Sequence, residues 1–448
     1  MRWIALLPAL AMIAPSVSAD EPLTMEAAVA TAVRHNLALR AAEQTQQASA
    51  ARFRQARAHR LPSVDLTESF TRTDSPAEAF ALQLNQERFD MAEFSVSDPN
   101  SPDWLTTWMT RLEVRQPVYT GGLLSARIGQ AEHTLAAADL ARQHAREQVG
   151  FETITSFSNL TKAREYLDLL DNARQTTVEH VKLAELYAAQ GLIVDAEVLK
   201  ARVFLAEMEE LTARARHDAY LAEAALNFHM GTDQDQHHEL APLPQPPVVE
   251  GSLEGWTERA LKGRRDLMAT RQQLDAGRLE ERVARAAFRP ELAVIGRFDL
   301  YDDGPFETHG DSAAVMAVAR VNLFRGGADR AAVVAAQHDN DGFEAQLDRF
   351  EEAVRLEVRQ AWQEMDNARA RHEAARVALE AASEALRVRE HRFRQGLDRM
   401  IDLLDAETGL RESEVRELVA RHDLALASYR LHFSSGASVV DLVHPTEE

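Results

Sequence analysis

Two long helical patterns, each followed by a shorter return helix, dominate the distribution of apolar positions. Residues 123–190 and 328–395 contain no proline and span 68 residues each. At 1.5 Å per residue, this is about 100 Å as one helix or a stacked pair. Apolar and alanine positions recur at spacings of three and four, as in coiled coils. A glycine, Gly191 or Gly396, follows each pattern, so we expect the chain to turn there and return over 194–230 and 398–433.

Four shorter segments instead alternate apolar and polar residues, which predicts β-strands. They are 63–73, 110–119, 291–301 and 313–324. Each is about ten residues long, enough to cross an outer membrane at a tilt, with one apolar face and one polar or charged face. The alternation alone favours a soluble sheet that covers a core, because the signal of each strand is weak.

The same order of elements occurs twice along the chain. Pro62 and Pro290 are separated by 228 residues, whereas Gly122 and Gly327 are separated by 205. The first half therefore carries an insertion, residues 75–107, which we predict as a long outer loop between strands. The predicted organisation is a first repeat at 20–230, a linker at 231–252, a second repeat at 253–433 and a tail at 434–448.

The first nineteen residues predict a secretory signal peptide. Arg2 precedes an apolar stretch, and small residues at Val17 and Ala19 mark a cleavage site before Asp20. A buried N-terminal helix is the alternative. The protein is therefore expected to be exported.

Composition and charge exclude several classes of protein. The formal net charge is −21, which argues against nucleic-acid binding because phosphate recognition needs a basic face. The chain has no cysteine, so disulfides, thiolate metal sites and cysteine nucleophiles are excluded. No common nucleotide-binding or hydrolase motif occurs. His229, His237 and His238 lie close in sequence, which we interpret as a chance surface cluster. We expect no enzyme activity, cofactor or metal site.

Four strands cannot close a barrel, and open sheet edges are not tolerated in lipid. If these strands lie in a membrane, several chains must pool them: two chains give eight strands and three give twelve. The pattern therefore predicts a homo-oligomer with cyclic symmetry.

The ordered set of motifs resembles TolC-type outer membrane factors. It comprises Leu61-Pro62 before a strand, the segments 116–122 and 323–327 that end in Gly-Gly, and 393–396 followed by 401–406. The resemblance implies a mainly α-helical protein with membrane β-structure. In that family a homotrimer forms a twelve-stranded outer-membrane β-barrel that continues into a periplasmic α-helical coiled-coil barrel. The linker and tail would form a belt around its middle.

The function implied by the resemblance is the exit duct of a tripartite efflux pump in the outer membrane of a Gram-negative bacterium. The implied partners are a periplasmic adaptor of the membrane fusion type, an inner-membrane pump of the RND, ABC or MFS type, and outer-membrane lipid. Type I protein secretion is an alternative. A soluble periplasmic coiled-coil adaptor or scaffold, or an exported binding protein or enzyme, would belong to a different class.

The resemblance also places a periplasmic aperture at the second helical turn. Asp402 and Asp405 match the family's pore-lining aspartates, and they share a helix face because they are three residues apart. In a trimer six such carboxylates would repel one another, raise some of their pKa values and attract cations. A solvated acidic face is the alternative. The family's aromatic hydroxyl is replaced by Phe393 and its basic residue by Asp398, so Arg394 or Arg399 is expected to pair at the closed end.

Two further groups of residues are predicted to have structural or docking roles. The hairpin ends are expected to dock the adaptor, with local packing of these side chains as the alternative: Gly191, Leu192, Ile193, Gly396, Leu397 and Met400. The strand-to-helix turns are assigned to four glycines: Gly121, Gly122, Gly326 and Gly327.

Overall fold

The computed structural model describes residues 22–90, 100–306, 309–395 and 397–443. The predicted signal peptide lies outside the described residues. Within them, the chain is mostly helical and contains one four-stranded sheet.

The elements of the first half confirm the predicted long helix and its return. They are α1 Met25–His35, α2 Leu37–Ala58, β1 Ser63–Thr73, α3 Pro76–Asn85, β2 Leu105–Thr120, α4 Leu123–Ala189 and α5 Asp195–Met230.

The second half contains α6 Leu253–Gly263, α7 Arg265–Ala286, β3 Glu291–Asp302, β4 Gly310–Arg320, α8 Ala328–Arg394, α9 Met400–Ser434 and α10 Val439–Val443. Helices α4 and α8 have 67 residues each. No helix in the described part of the chain is long and apolar enough to span a membrane.

Two strand boundaries differ from the sequence prediction by more than three residues, and strand pairing explains both. β2 begins at Leu105 rather than 110 because β1 extends to Thr73, which pairs with Leu105. β4 ends at Arg320 rather than 324 because its partner Glu291 is the first residue of β3. Side-chain alternation does not contain this information, since it depends on the length of the neighbouring strand.

The insertion at 75–107 is not simply the long loop that was predicted. It contains helix α3, which begins with a proline at its first position, and the early residues of β2. Residues 91–99 lie outside the described residues. Gln86, directly after α3, is fully buried, and its Nε2 donates hydrogen bonds to Thr107 Oγ1 and to the backbone oxygens of Thr106 and Asp302. These bonds fix the segment to the ends of β2 and β3.

The sheet is antiparallel with strand order β1-β2-β3-β4, so β1 and β4 are its edges. Cross-strand pairs put apolar residues on one face, as in Leu66 opposite Leu112 and Leu112 opposite Phe298. The other face carries charges: Arg111 Nε lies 2.7 Å from an Asp299 carboxylate oxygen. The apolar face is exposed, with Leu66 68% accessible. A soluble domain would cover such a face with a core.

The chain divides into two compact units, each drawn from both halves of the sequence. The first unit comprises 1–41, 143–264 and 353–448, and the second comprises 42–142 and 265–352. The predicted repeats are therefore not the compact units. The second unit contains the sheet, whereas the first contains both helical turns.

The linker and tail pack onto the helices of the first unit. Leu23 forms an isolated parallel bridge with Leu240 of the linker. In the tail, Val440 of α10 belongs to a buried cluster with Ile154 and Phe157 of α4. Gly150 of α4 permits this contact because a Cβ there would lie 2.5 Å from Val440 Cγ2.

Candidate functional site

The first hairpin, formed by α4 and α5, ends in a Schellman motif. The backbone N–H of Gly191 donates to Ala188 O at 2.9 Å, and that of Leu192 donates to Tyr187 O at 2.9 Å. Gly191 has φ +74°, and no atom lies within 4 Å of where its Cβ would be. The positive φ favours glycine, since other residues are strained in this region.

The second hairpin, formed by α8 and α9, makes one hydrogen bond equivalent to those of the first. Leu397 N–H donates to Arg392 O at 3.0 Å, the equivalent of the Leu192 bond 205 residues earlier. The predicted turn residue Gly396 lies outside the described residues. The two ends expose equivalent leucines, because Leu192 is 65% and Leu397 63% accessible.

The two hairpins pack together through a buried apolar cluster just behind these turns. It contains Val181 and Val198 from the first hairpin and Phe393, Met400 and Leu403 from the second. Met400 is only 1% exposed. The prediction that Met400 offers an exposed docking contact is therefore wrong, because this side chain fills the interface between hairpins.

Two other predicted residues also contact this cluster. Ile193 is half-buried against it. Phe393 is 6% exposed, and its ring lies 6.2 Å from that of Tyr187. Lacking a hydroxyl, Phe393 packs against the first hairpin within a single chain.

Asp398 is held by two arginines of α8. Arg389 Nη1 lies 3.1 Å and Arg392 Nε 3.0 Å from its carboxylate oxygens, and the Asp398 side chain is 5% exposed. Burial opposes ionisation, but the hydrogen bonds from Arg389 and Arg392 outweigh it and lower the pKa of Asp398. These contacts hold the turn that contains Asp398 against helix α8. Sequence reasoning missed both arginines, since turn geometry brings them to Asp398.

Arg399 and Asp402 form the N-terminal cap of α9. The Asp402 carboxylate accepts the backbone N–H of Arg399 at 3.2 Å and its guanidinium Nε at 3.2 Å. These hydrogen bonds from Arg399 lower the pKa of Asp402. Within the chain, Arg399 thus pairs with Asp402, and Arg394 pairs with Glu390 of its own helix. The pairing of either arginine at the closed end of an aperture stays a prediction.

Asp405 differs from Asp402 in its surroundings. Its side chain is exposed, and within the described ranges no hydrogen bond or ion pair engages it. It borders a groove of about 360 Å³ between α5 and α9 that includes Leu199 and Val203. Arg399 therefore forms an ion pair with Asp402, whereas it interacts with Asp405 only electrostatically at longer range.

A histidine–carboxylate pair joins the hairpins farther from the turns. His180 of α4 bonds through Nε2 to Glu407 of α9, and the two side chains are 15% and 11% exposed. Burial opposes protonation of His180, but the hydrogen bond to Glu407 prevails and raises its pKa, with smaller contributions from Glu390 and Glu179. No sequence motif indicates this pair, since its members are 227 residues apart.

We expect the His180–Glu407 pair to stabilise the protein only when His180 is protonated. Because the pKa of His180 is raised in the folded protein, this stabilisation is complete below about pH 6.5, the ordinary pKa of histidine. It is lost as the pH rises through the higher pKa that His180 has in the folded state. His180→Gln should cost about 2 kcal/mol at pH 6 and much less at pH 9. Thermal unfolding in detergent at both pH values measures this, with exposed His217→Gln as the control. Equal losses for H180Q at both pH values would contradict it.

All four predicted turn glycines have positive φ: Gly121, Gly122, Gly326 and Gly327. Only Gly121 is crowded, because a Cβ there would lie 2.8 Å from Arg289 Cβ. In the described part of the chain, no group of three or more His, Asp or Glu side chains is arranged to hold a metal. Instead, His237 Nδ1 lies 2.9 Å from Glu223, which itself pairs with Arg164.

The comparisons with known proteins identify the family. The family model described as outer membrane efflux protein matches residues 28–232 and 256–437. The chain belongs to this family. Its members are outer membrane transport channels rather than enzymes, and this chain is an outer membrane efflux channel.

The efflux channel is similar to curated relatives and to solved structures. It is 23% identical over 339 residues to the alkaline protease secretion protein AprF of Pseudomonas aeruginosa, covering 74% of this chain and 70% of AprF. It is 20% identical over 352 residues to the outer membrane efflux protein BepC of Brucella suis, covering 78% and 76%. The crystal structure of the outer membrane protein VceC from Vibrio cholerae matches with TM-score 0.77 at 20% identity, covering 93% and 96%.

Proposed function

We propose that three copies of this channel assemble into the exit duct of a tripartite efflux pump. Their twelve strands would close a barrel in the outer membrane of a Gram-negative bacterium. The helices would form a tunnel in the periplasm, and the linker and tail a belt around its middle. The observation that carries this proposal is the sheet: it has four strands, two open edges and one exposed apolar face.

The apolar face has the dimensions and composition of a lipid-facing band. From Val64 to Phe70 the chain of β1 advances six residue steps, which is about 20 Å at 3.3 Å per step. Phe70 packs on Trp108 with ring centroids 5.1 Å apart, and Arg72 lies over the ring of Trp104. Aromatic side chains at the end of an apolar band are typical of outer-membrane barrels at the interface with water.

The opposite face of the sheet suits a water-filled lumen. Asp299 accepts hydrogen bonds from Arg111 at 2.7 and 3.1 Å, and Arg297 lies 3.8 Å away. Charged side chains of this kind are costly in lipid but stable beside water. Because one chain leaves β1 and β4 without a second neighbour, further copies must supply those neighbours in a membrane.

The hairpin ends supply the aperture and the adaptor-docking surface of this proposal. Exposed Leu192 and Leu397, with the groove beside Leu199 and Val203, offer apolar contacts at the periplasmic end. An adaptor there would link the duct to an inner-membrane pump. The similarity to a protease secretion protein favours type I secretion as the second candidate function.

The experiment that tests the duct is single-channel conductance in planar lipid bilayers. We expect a cation-selective channel, since the aspartates would ring the aperture. Asp405→Asn and Asp402→Asn should each reduce the cation preference, because each removes one negative charge per chain, and Asp402→Asn also leaves the Arg399 cation without its ion-pair partner. Glu373→Gln, on the exposed surface of α8, is the matched control. Absence of conductance from wild-type protein in bilayers would contradict the proposal.

A further inference from the structure

Two stretches of this acidic chain contain no aspartate or glutamate. They are residues 44–64 and 114–131, which are 21 and 18 residues long in a chain with 71 acidic residues among 448. Together they carry six arginines and His59. The first stretch leads into β1 and the second includes the end of β2, so positive charge is concentrated at one end of the sheet.

The structure brings these two stretches together around a cavity. The end of α2 and the start of α4 line a cavity of about 420 Å³, with Arg52 and Arg127 as its cationic residues and His59 beside them. Leu123 and Leu124 supply apolar lining. The site therefore combines positive charge with apolar walls.

Hydrogen bonds hold the walls of this cavity in place. Arg60 Nη2 donates to Ser125 Oγ at 3.0 Å, and Gln116 Nε2 donates to the backbone oxygen of Arg60 at 2.9 Å. These two bonds join the end of α2 to α4 and to β2. The cavity is thus set by the local fold, whereas its two lining arginines stay available.

Arg52 and Arg127 have no anionic partner in the described ranges of the chain. Both are exposed, and neither makes a hydrogen bond or an ion pair there. Arg278 of the same compact unit, by contrast, is paired with Glu344 at 2.7 Å. A guanidinium fork matches a phosphate through two parallel hydrogen bonds, so a phosphate group would complete the site.

The two lining arginines have no counterparts at the equivalent junction in the second half of the chain. Shifted by 228 and 205 residues, Arg52 corresponds to Glu280 and Arg127 to Ala332. At that junction Arg325, just before α8, lies 3.5 Å from Asp329 in the first turn of that helix. The basic pocket is therefore a feature of the first junction and is not required by the fold.

The pocket lies next to the exposed apolar surface of the sheet. Leu61, Val64 and Leu66, which directly follow the basic stretch of α2, are 65%, 63% and 68% accessible. If the sheet crosses the outer membrane, as the proposed function requires, this junction lies at the depth of the inner-leaflet headgroups. Basic pockets at that depth bind anionic phospholipids.

We propose that this pocket binds the phosphate of an anionic phospholipid from the inner leaflet, one per chain. Arg52 and Arg127 hold the phosphate oxygens, and Leu123 and Leu124 contact the glycerol and the first acyl methylenes. Inorganic phosphate shares the charge of this ligand but not its apolar part. Zwitterionic phosphatidylcholine carries the apolar part without net negative charge.

Native mass spectrometry of the delipidated full-length protein in detergent tests this proposal. The probes are dioleoyl phosphatidylglycerol, dioleoyl phosphatidylcholine and inorganic phosphate. The double variant Arg52→Gln/Arg127→Gln should bind phosphatidylglycerol about tenfold more weakly or worse. The matched control is Arg282→Gln/Arg330→Gln, which removes two exposed arginines from the second junction and should bind like wild type.

Three outcomes would overturn the proposal. Equal affinity of the double variant and the control is one, and equal retention of phosphatidylcholine and phosphatidylglycerol is another. Displacement of the lipid by millimolar inorganic phosphate is the third, because it would show a solute site. Should the double variant fail to fold, Arg52→Gln and Arg127→Gln singly allow the same comparison.

The proposed function and the lipid site are contradicted by different results. If wild-type protein fractionates outside the outer membrane, the duct is overturned whatever the pocket binds in detergent. If it lies in the outer membrane and conducts, but binds phosphatidylglycerol no better than the double variant does, only the lipid site is overturned.

Discussion

Arginine in place of Leu66 is expected to prevent the chain from assembling in the outer membrane. Leu66 is on the apolar face opposite Leu112 and is 68% accessible in the single chain. Arginine near the middle of a lipid-facing strand costs about 2–4 kcal/mol, and in a trimer that cost would be incurred three times. Fractionation of membranes, followed by native electrophoresis of the extracted protein, measures the loss.

The neighbouring residue supplies the matched control for this substitution. Asp65 lies on the opposite face, where it pairs with Glu113, so Asp65→Arg introduces the same side chain beside water and opposite an acid. We expect D65R to assemble like wild type. Normal assembly of L66R, or equal loss in both variants, would contradict the assignment of the faces.

The second large effect is expected at the hairpin ends. Replacing both Leu192 and Leu397 by aspartate should weaken adaptor binding by about 30-fold or more, since an interface hot spot contributes about 2 kcal/mol. Both side chains are more than 60% exposed, so the fold should tolerate the change. Adaptor binding by the purified channel and efflux by cells measure the effect.

The control for the hairpin ends is Val377→Asp on α8. Val377 is 53% exposed and lies well before the turn along its helix. It should leave binding and efflux unchanged, and neither variant should alter the oligomeric state. Full efflux by the double aspartate variant would contradict the assignment of Leu192 and Leu397 to the docking surface.

The sequence contains most of the secondary structure, because each element has its own periodicity. Helix α4 was predicted at 123–190 and occupies Leu123–Ala189, while β1 was predicted at 63–73 and occupies Ser63–Thr73. The sequence predictions are wrong where the structure of a segment depends on residues that are distant in the sequence. β4 ends where β3 begins, and helix α3 is held by a buried glutamine that contacts two strands.

The candidate site was predictable in position but not in its contacts. Glycine spacing located both turns, and Arg399 was among the two arginines expected to pair. Exposure at the turns could not be predicted, because Met400 and Phe393 are buried only when the second hairpin packs against the first. The pairing of Asp398 with Arg389 and Arg392 follows from the reversal of the chain, which brings residues six and nine positions apart into contact.

The most direct test of the central claim is the native mass of the mature protein after membrane fractionation and detergent extraction. Three chains of about 49.9 kDa less their signal peptides predict an outer-membrane species of roughly 140–150 kDa, because a four-stranded sheet can close only by pooling strands. A monomer recovered without detergent in the periplasmic fraction would contradict the duct and leave a soluble coiled-coil adaptor as the better account.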